Sequence, residues 1–142
     1  MPKTRELDDE LHRRITAFTE RGNEKFEAER FHEAYADYER ALKLIPEPVE
    51  SWEASTWVLL GLGDCGFLLG DYEAALRHLE RALECPDIEG SEFLILRLGQ
   101  ARYETGDLKG AREALEDAWR LGGAELFEDE DPKYLGLLRS RS

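Results

Sequence analysis

Six positions of this sequence recur three times with the same residue character, and this internal repeat constrains the fold more than any other feature. The first copy has small or large apolar residues at Gly22, Phe26, Phe31, Ala34, Tyr38 and Ala41. The same classes return at Gly63, Phe67, Tyr72, Ala75, Leu79 and Ala82, and again at Gly99, Tyr103, Leu108, Ala111, Leu115 and Ala118. A shared register of this kind predicts neighbouring copies of one supersecondary unit.

Turn residues divide each copy into two helices. Gly70-Asp71 and Gly106-Asp107 place a glycine where one helix should end and an aspartate where the next should begin. The first copy has Glu29-Arg30 at this point, so its turn is less well specified. Apolar residues fall at helical spacing between these turns, and no convincing period-two strand pattern is present. The fold class is therefore predicted to be all-α.

These segments resemble the tetratricopeptide repeat, a helix–turn–helix unit of about 34 residues. The resemblance extends from about residue 15 to residue 122, with extra residues inserted mostly around 46–53. It implies three antiparallel helix pairs in a right-handed solenoid. The predicted repeats are at about 15–48, 56–88 and 92–122.

The residues after the third copy predict a capping segment at 123–139. Asp131 is placed to be an N-cap with Pro132 as the first helical residue, and apolar residues follow at helical spacing. A repeat array must cover its last apolar face, which gives this helix its expected role. Residues 1–142 are accordingly predicted to form one domain.

The segment Gly61-Leu62-Gly63-Asp64-Cys65-Gly66 spells G-x-G-x-x-G, the glycine pattern of dinucleotide-binding folds. Such a site needs a strand before the glycines, a helix after them and an acidic residue about 20 positions further on. Here Gly70-Asp71 separates two helices instead, and Gly63 belongs to the repeat series. No cofactor is therefore expected. Gly61 and Gly66 have no counterparts in the other copies and are not explained by the repeat.

Charge and composition narrow the classes of partner and compartment. The net charge of -13 disfavours binding to nucleic acid or to an anionic membrane. No apolar stretch approaches the roughly 20 residues that cross a bilayer, and no secretory signal is visible. With only two cysteines, a disulfide framework is not expected. These features predict a cytoplasmic protein whose partner is another protein. A basic partner suits the acidic surface, and self-association is left open.

The sequence lacks a pattern typical of a catalytic or metal site. His12, His32 and His78 lie in separate predicted helices without a second ligand one turn away. Neither Cys65 nor Cys85 has a histidine placed to activate it, so both are interpreted as structural thiols. The protein is therefore predicted not to be an enzyme and to bind no metal.

The resemblance implies that the first helix of each pair lines a concave groove that binds a partner peptide or helix. The groove residues it implies are Asn23, Trp57, Leu60, Asp64, Phe93, Arg97, Gln100 and Tyr103, with Thr19, Phe26 and Phe67 beside them. Trp57, Phe93 and Tyr103 are predicted to be apolar anchors, and Arg97 is predicted to orient the partner. Phe26, Phe67 and Tyr103 recur in every copy, so packing explains them as well as binding does.

One subtype of repeat domain binds the acidic carboxy-terminal tails of cytosolic heat-shock chaperones with a clamp of lysines, asparagines and an arginine. Asn23 and Arg97 match two clamp positions. Thr19, Gly61 and Phe93 replace the other members. This role is therefore disfavoured.

An alternative function follows from a second resemblance. The segments 93–100 and 125–134 are similar to small stand-alone bacterial repeat proteins, some of which are encoded beside polymorphic toxins. An acidic protein can cover the phosphate-binding surface of a basic nuclease. The alternative is thus an acidic immunity or inhibitor protein that neutralises a basic, nuclease-like toxin.

Overall fold

The structure, a computed structural model, describes residues 8–85 and 91–140. Within these ranges the backbone forms seven α-helices and one short 3-10 helix, and no strand is present. The helices are α1 Asp9–Glu27, α2 Phe31–Leu44, α3 Glu53–Leu68, α4 Tyr72–Ala82, α5 Glu92–Glu104, α6 Leu108–Phe127 and α7 Pro132–Arg139, with the 3-10 helix Val49–Ser51 before α3. The predicted all-α fold class is confirmed.

The helices group into two compact units, residues 1–88 and 89–142. In the first unit α1 pairs with α2, α3 pairs with α4, and α2 packs on α3. In the second unit α5 pairs with α6, and α7 packs on α6. The three helix pairs and the final helix correspond to the three predicted repeats and their cap. The single-domain organisation stays a prediction.

Close contact between paired helices explains the recurring glycine of each copy. A Cβ atom at Gly63 of α3 would lie 2.5 Å from Leu79 Cδ2 of α4, and one at Gly99 of α5 would lie 2.8 Å from Leu115 Cδ2 of α6. Real Cβ atoms do not approach neighbours this closely, so a larger residue would push the helices apart. The positions that recur in the sequence are therefore the positions at which the paired helices touch.

Gly66, which the repeat left unexplained, lies at the same helix contact. A Cβ atom there would lie 3.2 Å from the backbone nitrogen of Ala75 in α4. Backbone cannot move aside as the end of a flexible side chain can. Gly66 therefore allows α3 and α4 to approach closely near the end of the pair.

The predicted turns adopt the conformations that their residues favour. Gly70 and Gly106 have φ angles of 82° and 94°, in the left-handed region that glycine tolerates. Asp71 and Asp107 follow as N-caps, and the Asp71 carboxylate accepts a hydrogen bond of 3.2 Å from the backbone nitrogen of Ala74. These turns end one helix and begin the next, as predicted.

The turn of the first copy has neither a glycine in the left-handed conformation nor an aspartate at the N-cap. Glu29 takes a φ of 60° although it carries a side chain, and Arg30 at the N-cap of α2 makes no side-chain cap hydrogen bond. The turn that the sequence specified less well is thus the one that places a non-glycine residue in the left-handed region.

The predicted ends of the second and third repeats differ in whether the structure describes them. The predicted end of the second repeat, at 86–88, lies outside the described residues. At the predicted end of the third repeat, Gly123 has non-helical φ and ψ angles of 67° and -164°, after which helical residues resume to Phe127. The capping helix then begins at Pro132, with the Asp131 side chain accepting from the backbone nitrogen of Lys133 at 2.9 Å.

Candidate functional site

The candidate site in the first unit is built around the ring of Tyr38, at a repeat position where the other two copies have leucine. A Cβ atom at Gly22 of α1 would lie 2.6 Å from Tyr38 Cε1, and one at Gly61 of α3 would lie 2.8 Å from Tyr38 Cε2. Two glycines thus leave room for one aromatic ring. The Tyr38 hydroxyl donates a hydrogen bond of 2.6 Å to Asn23 Oδ1.

A groove of about 330 Å³ opens beside this ring. Its lining comes from α1, α2 and α3 and consists of Thr19, Asn23, Phe26, Tyr38, Trp57, Leu60, Gly61 and Asp64. The structure therefore brings Asn23, Trp57, Leu60 and Asp64 together, as the groove prediction requires. Their role in binding stays a prediction.

Trp57 is the most exposed large apolar residue of this lining. Trp57 is 56% exposed, more than any other large apolar residue among those the structure describes. Tyr38, in contrast, is 3% exposed. The groove thus combines the exposed side chain of Trp57 with the buried ring of Tyr38.

The groove also contains a negative charge. Asp64 is 8% exposed and lies on α3, the helix that carries Trp57. Burial raises the pKa of the Tyr38 hydroxyl above its usual value, and the charge of Asp64 raises it further. The Tyr38 hydroxyl is therefore held in its protonated, donating form beside Asn23.

The predicted site residues of the second unit contact the C-terminal part of their own chain. Arg97 is 6% exposed, and its Nη1 donates to Gln100 Oε1 at 2.8 Å and lies 3.5 Å from Glu130 Oε1. Gln100 Nε2 donates to the same Glu130 oxygen at 2.6 Å. The Arg97 guanidinium also lies 5.1 Å from the centre of the Phe93 ring. Arg97 is therefore part of a network inside this unit.

Tyr103 of α5 packs against the capping helix. Its ring meets the Tyr134 ring edge to face with the centroids 5.3 Å apart, and the Tyr134 hydroxyl donates to Glu104 Oε2 at 2.6 Å. Lys133 Nζ binds the same Glu104 oxygen at 2.6 Å. The contact with Tyr134 thus supports the interpretation of Tyr103 as a packing residue.

Sequence reasoning missed Tyr38 as a groove residue and Glu130 as the partner of Arg97. The replacement of leucine by Tyr38, together with an additional glycine on α3, is a signal that could have located the groove lining. Glu130 is 33 residues from Arg97 and outside the repeat register, so no comparable signal connects them.

Both cysteines, which the sequence analysis interpreted as structural thiols, lie inside the fold. Cys65 and Cys85 are both buried, and burial raises the pKa of the Cys65 thiol to about 12. That thiol is therefore protonated at neutral pH and is a poor nucleophile. The described side chains include no group of three or more His, Cys, Asp or Glu that could hold a metal ion. Across the same ranges, no helix is long and apolar enough to span a membrane.

Comparisons with known proteins find similar helical repeats. A family model of the tetratricopeptide repeat matches residues 13–86. The C-terminal repeat domain of an FK506-binding protein from Plasmodium falciparum is 22% identical, with a TM-score of 0.73 over 94% of this chain and 89% of that one. A search of curated protein sequences finds no match.

Two further similar structures were solved with bound peptides. The first repeat domain of Spaghetti (RPAP3), bound to the HSP90 peptide SRMEEVD, is 19% identical, with a TM-score of 0.69 and coverage of 90% of this chain and 95% of that one. The second repeat domain of human RPAP3, in complex with the HSP70 peptide SGPTIEEVD, is 19% identical, with a TM-score of 0.67 and coverage of 91% and 95%. At these identities the likeness shows a shared fold.

Proposed function

Because the chain belongs to the tetratricopeptide repeat family, we propose that it is a non-catalytic protein-interaction module that binds a peptide or helix of another protein in the groove beside Tyr38. The observation that carries this proposal is Trp57, 56% exposed beside that groove. Partner side chains that cover the indole would bury a large aromatic surface, the kind of contact that dominates binding energy. The peptide complexes of the two RPAP3 domains support a partner of this type.

The residues of the second unit have different proposed roles. Phe93 is 37% exposed and is a proposed apolar contact for the partner. Arg97 is a positioning residue in this proposal, because its guanidinium already contacts Gln100, Glu130 and the Phe93 ring. Arg97 would orient Phe93, and through it the partner.

The first test compares two exposed tryptophans. Peptides selected from a random display library on the wild-type protein are titrated by calorimetry against Trp57→Ala and against Trp119→Ala. Loss of a hot-spot aromatic costs about 2 kcal/mol, so Trp57→Ala is expected to weaken binding about 30-fold. Trp119 is 40% exposed but lies in the second unit, outside the proposed groove, so its variant should bind normally.

Circular dichroism of both variants controls for loss of helix. Selected peptides that bind Trp57→Ala as tightly as the wild type would place the binding surface elsewhere and contradict the proposal.

The net charge of -13 supports a second candidate function, in which this acidic protein inhibits a basic, nuclease-like toxin. Charge complementarity would then steer association, and the association rate would fall steeply as salt is added. Such binding should survive Trp57→Ala, which leaves the net charge unchanged. Both candidate functions assume a cytoplasmic protein.

A further inference from the structure

We propose that two copies of this chain associate through a groove between α6 and α7, with the Trp119 side chain of each copy at the centre of the contact. This inference goes beyond the proposed function, because it concerns a surface of the second unit and a partner identical to the chain itself. The sequence leaves such self-association open.

The α6–α7 groove presents aromatic and aliphatic surface to solvent. It has a volume of about 390 Å³, and its lining consists of Glu116, Trp119, Arg120, Leu135, Leu138 and Arg139. Trp119 is 40% exposed, and Leu135 and Leu138 are half-buried. A partner that covers these three side chains removes apolar surface from water, which favours binding.

Contacts within the second unit hold the α6–α7 groove in shape. The Trp119 ring packs on the Phe127 ring with the centroids 5.8 Å apart. Arg112 of α6 donates from Nη2 to Ser140 Oγ at 2.9 Å and from Nη1 to the Ser140 carbonyl oxygen at 3.2 Å, which ties the end of α7 to α6. Because the groove is formed before a partner arrives, association loses less conformational entropy.

The charges beside Trp119 are complementary to themselves, which favours a second copy as the partner. Glu116 and Arg120 are one turn apart on α6, and Trp119 lies between them in the sequence. A two-fold axis that crosses α6 at Trp119 would make the α6 helices of the two copies run in opposite directions. Glu116 of each copy would then lie beside Arg120 of the other copy, and the contact would contain two identical ion pairs.

Both of these charged side chains can reach a second copy. Glu116 and Arg120 are exposed. Arg120 forms an ion pair with Asp117 of its own helix, in which both side chains are exposed. An ion pair of this kind contributes little to stability. Arg120 can therefore exchange Asp117 for Glu116 of the second copy at small cost.

The α6–α7 groove also differs in charge from the chain as a whole. Its lining has two arginines and one glutamate, whereas the chain has a net charge of -13. Two acidic molecules repel each other, and the repulsion falls where each presents cations as well as carboxylates. Two copies that meet at this groove are therefore repelled less than their net charges imply.

Sedimentation equilibrium of the full chain tests the proposal. The contact is small, so we expect a dimer with a Kd of about 100 µM, which loading at up to about 1 mM would populate. Trp119→Ala should raise the Kd at least about tenfold. Trp57→Ala is the matched control, because Trp57 is an exposed tryptophan of the first unit and its loss should leave the Kd unchanged.

A charge exchange tests the two-fold geometry and covers the case in which Trp119→Ala does not fold. Glu116→Arg and Arg120→Glu should each raise the Kd about tenfold, because each places like charges side by side in the contact. The double variant restores opposite charges and should return the Kd to near the wild-type value. General repulsion predicts the reverse for Glu116→Arg, which makes the chain less acidic and would tighten association.

Three results would contradict the proposal. The wild-type protein could sediment as a monomer at every concentration, or its dimer could be unaffected by a folded Trp119→Ala variant. A double charge variant that associates no better than the two single variants would likewise overturn the two-fold contact at α6.

Discussion

The hydroxyl of Tyr35 in α2 and Nε2 of His78 in α4 are 2.8 Å apart, and their rings meet edge to face with the centroids separated by 5.8 Å. Burial lowers the pKa of His78 below its usual value, and the charges of Arg77 and Arg81 lower it further. Asp71 acts in the opposite direction but does not reverse the shift. The folded protein therefore favours the neutral imidazole, which can accept a hydrogen bond from Tyr35.

This residue should make stability depend on pH in a defined direction. Above the ordinary histidine pKa of 6.5 both the folded and the unfolded chains hold His78 neutral. As the pH falls below 6.5 the unfolded chain takes up the proton first, so the free energy of unfolding should decrease until the folded-state pKa is reached. Urea unfolding at a series of pH values between about 7 and 5 measures this slope.

Matched histidine variants separate His78 from other titrating groups. His78→Gln should flatten the slope in this pH range, and His32→Gln, at an exposed histidine of α2, should keep the wild-type dependence. An unchanged slope in His78→Gln would show that the dependence arises elsewhere.

The turns within the helix pairs differ in whether a glycine takes the left-handed backbone conformation. A residue with a Cβ atom in the left-handed region costs about 1 kcal/mol, a cost that Gly70 and Gly106 avoid and Glu29 does not. We expect Glu29→Gly to raise the free energy of unfolding by up to about 1 kcal/mol and Gly70→Ala to lower it by about 1 kcal/mol. Urea titrations of each variant beside the wild type measure both changes.

The Gly70→Ala variant isolates the backbone effect, because a Cβ atom there would meet nothing within 4 Å. If Glu29→Gly does not stabilise the protein, the larger backbone entropy of glycine in the unfolded chain outweighs the relief of strain.

The same elements show what the sequence could predict of the fold. Repeat positions report which residues face each other, so the contacts of Gly63 with Leu79 and Gly99 with Leu115 could be anticipated from their register. The close approach at Gly61 does not follow from this register, because it depends on the ring of Tyr38, which replaces the leucine of the other two copies. Local preference likewise gave no reason to place Glu29 in a left-handed conformation.

The residues of the candidate site also differ in whether the sequence could predict their placement. Trp57, Leu60 and Asp64 lie on one face of a predicted helix, and the resemblance to the repeat family implied that this face lines the groove. The contact of Arg97 with Glu130 depends on where the segment before α7 lies, and neither periodicity nor local preference encodes that position.

At the scale of the whole chain, the two compact units raise the question of how many domains unfold independently. The second unit spans residues 89–142, a size near that of the smallest domains that fold alone, about 60 residues. Repeat proteins obtain much of their stability from the interfaces between neighbouring repeats. We therefore propose that the chain unfolds as one domain, as the sequence predicts.

One variant allows two probes to test this proposal in the same sample. Trp119→Phe removes the tryptophan of the second unit and leaves Trp52 and Trp57 in the first. Tryptophan fluorescence then reports the first unit alone, whereas far-ultraviolet circular dichroism reports the helices of both. One cooperative transition requires the two urea midpoints to coincide. A separate dichroism phase that fluorescence does not detect would show that residues 89–142 unfold independently, and the chain would then have two domains.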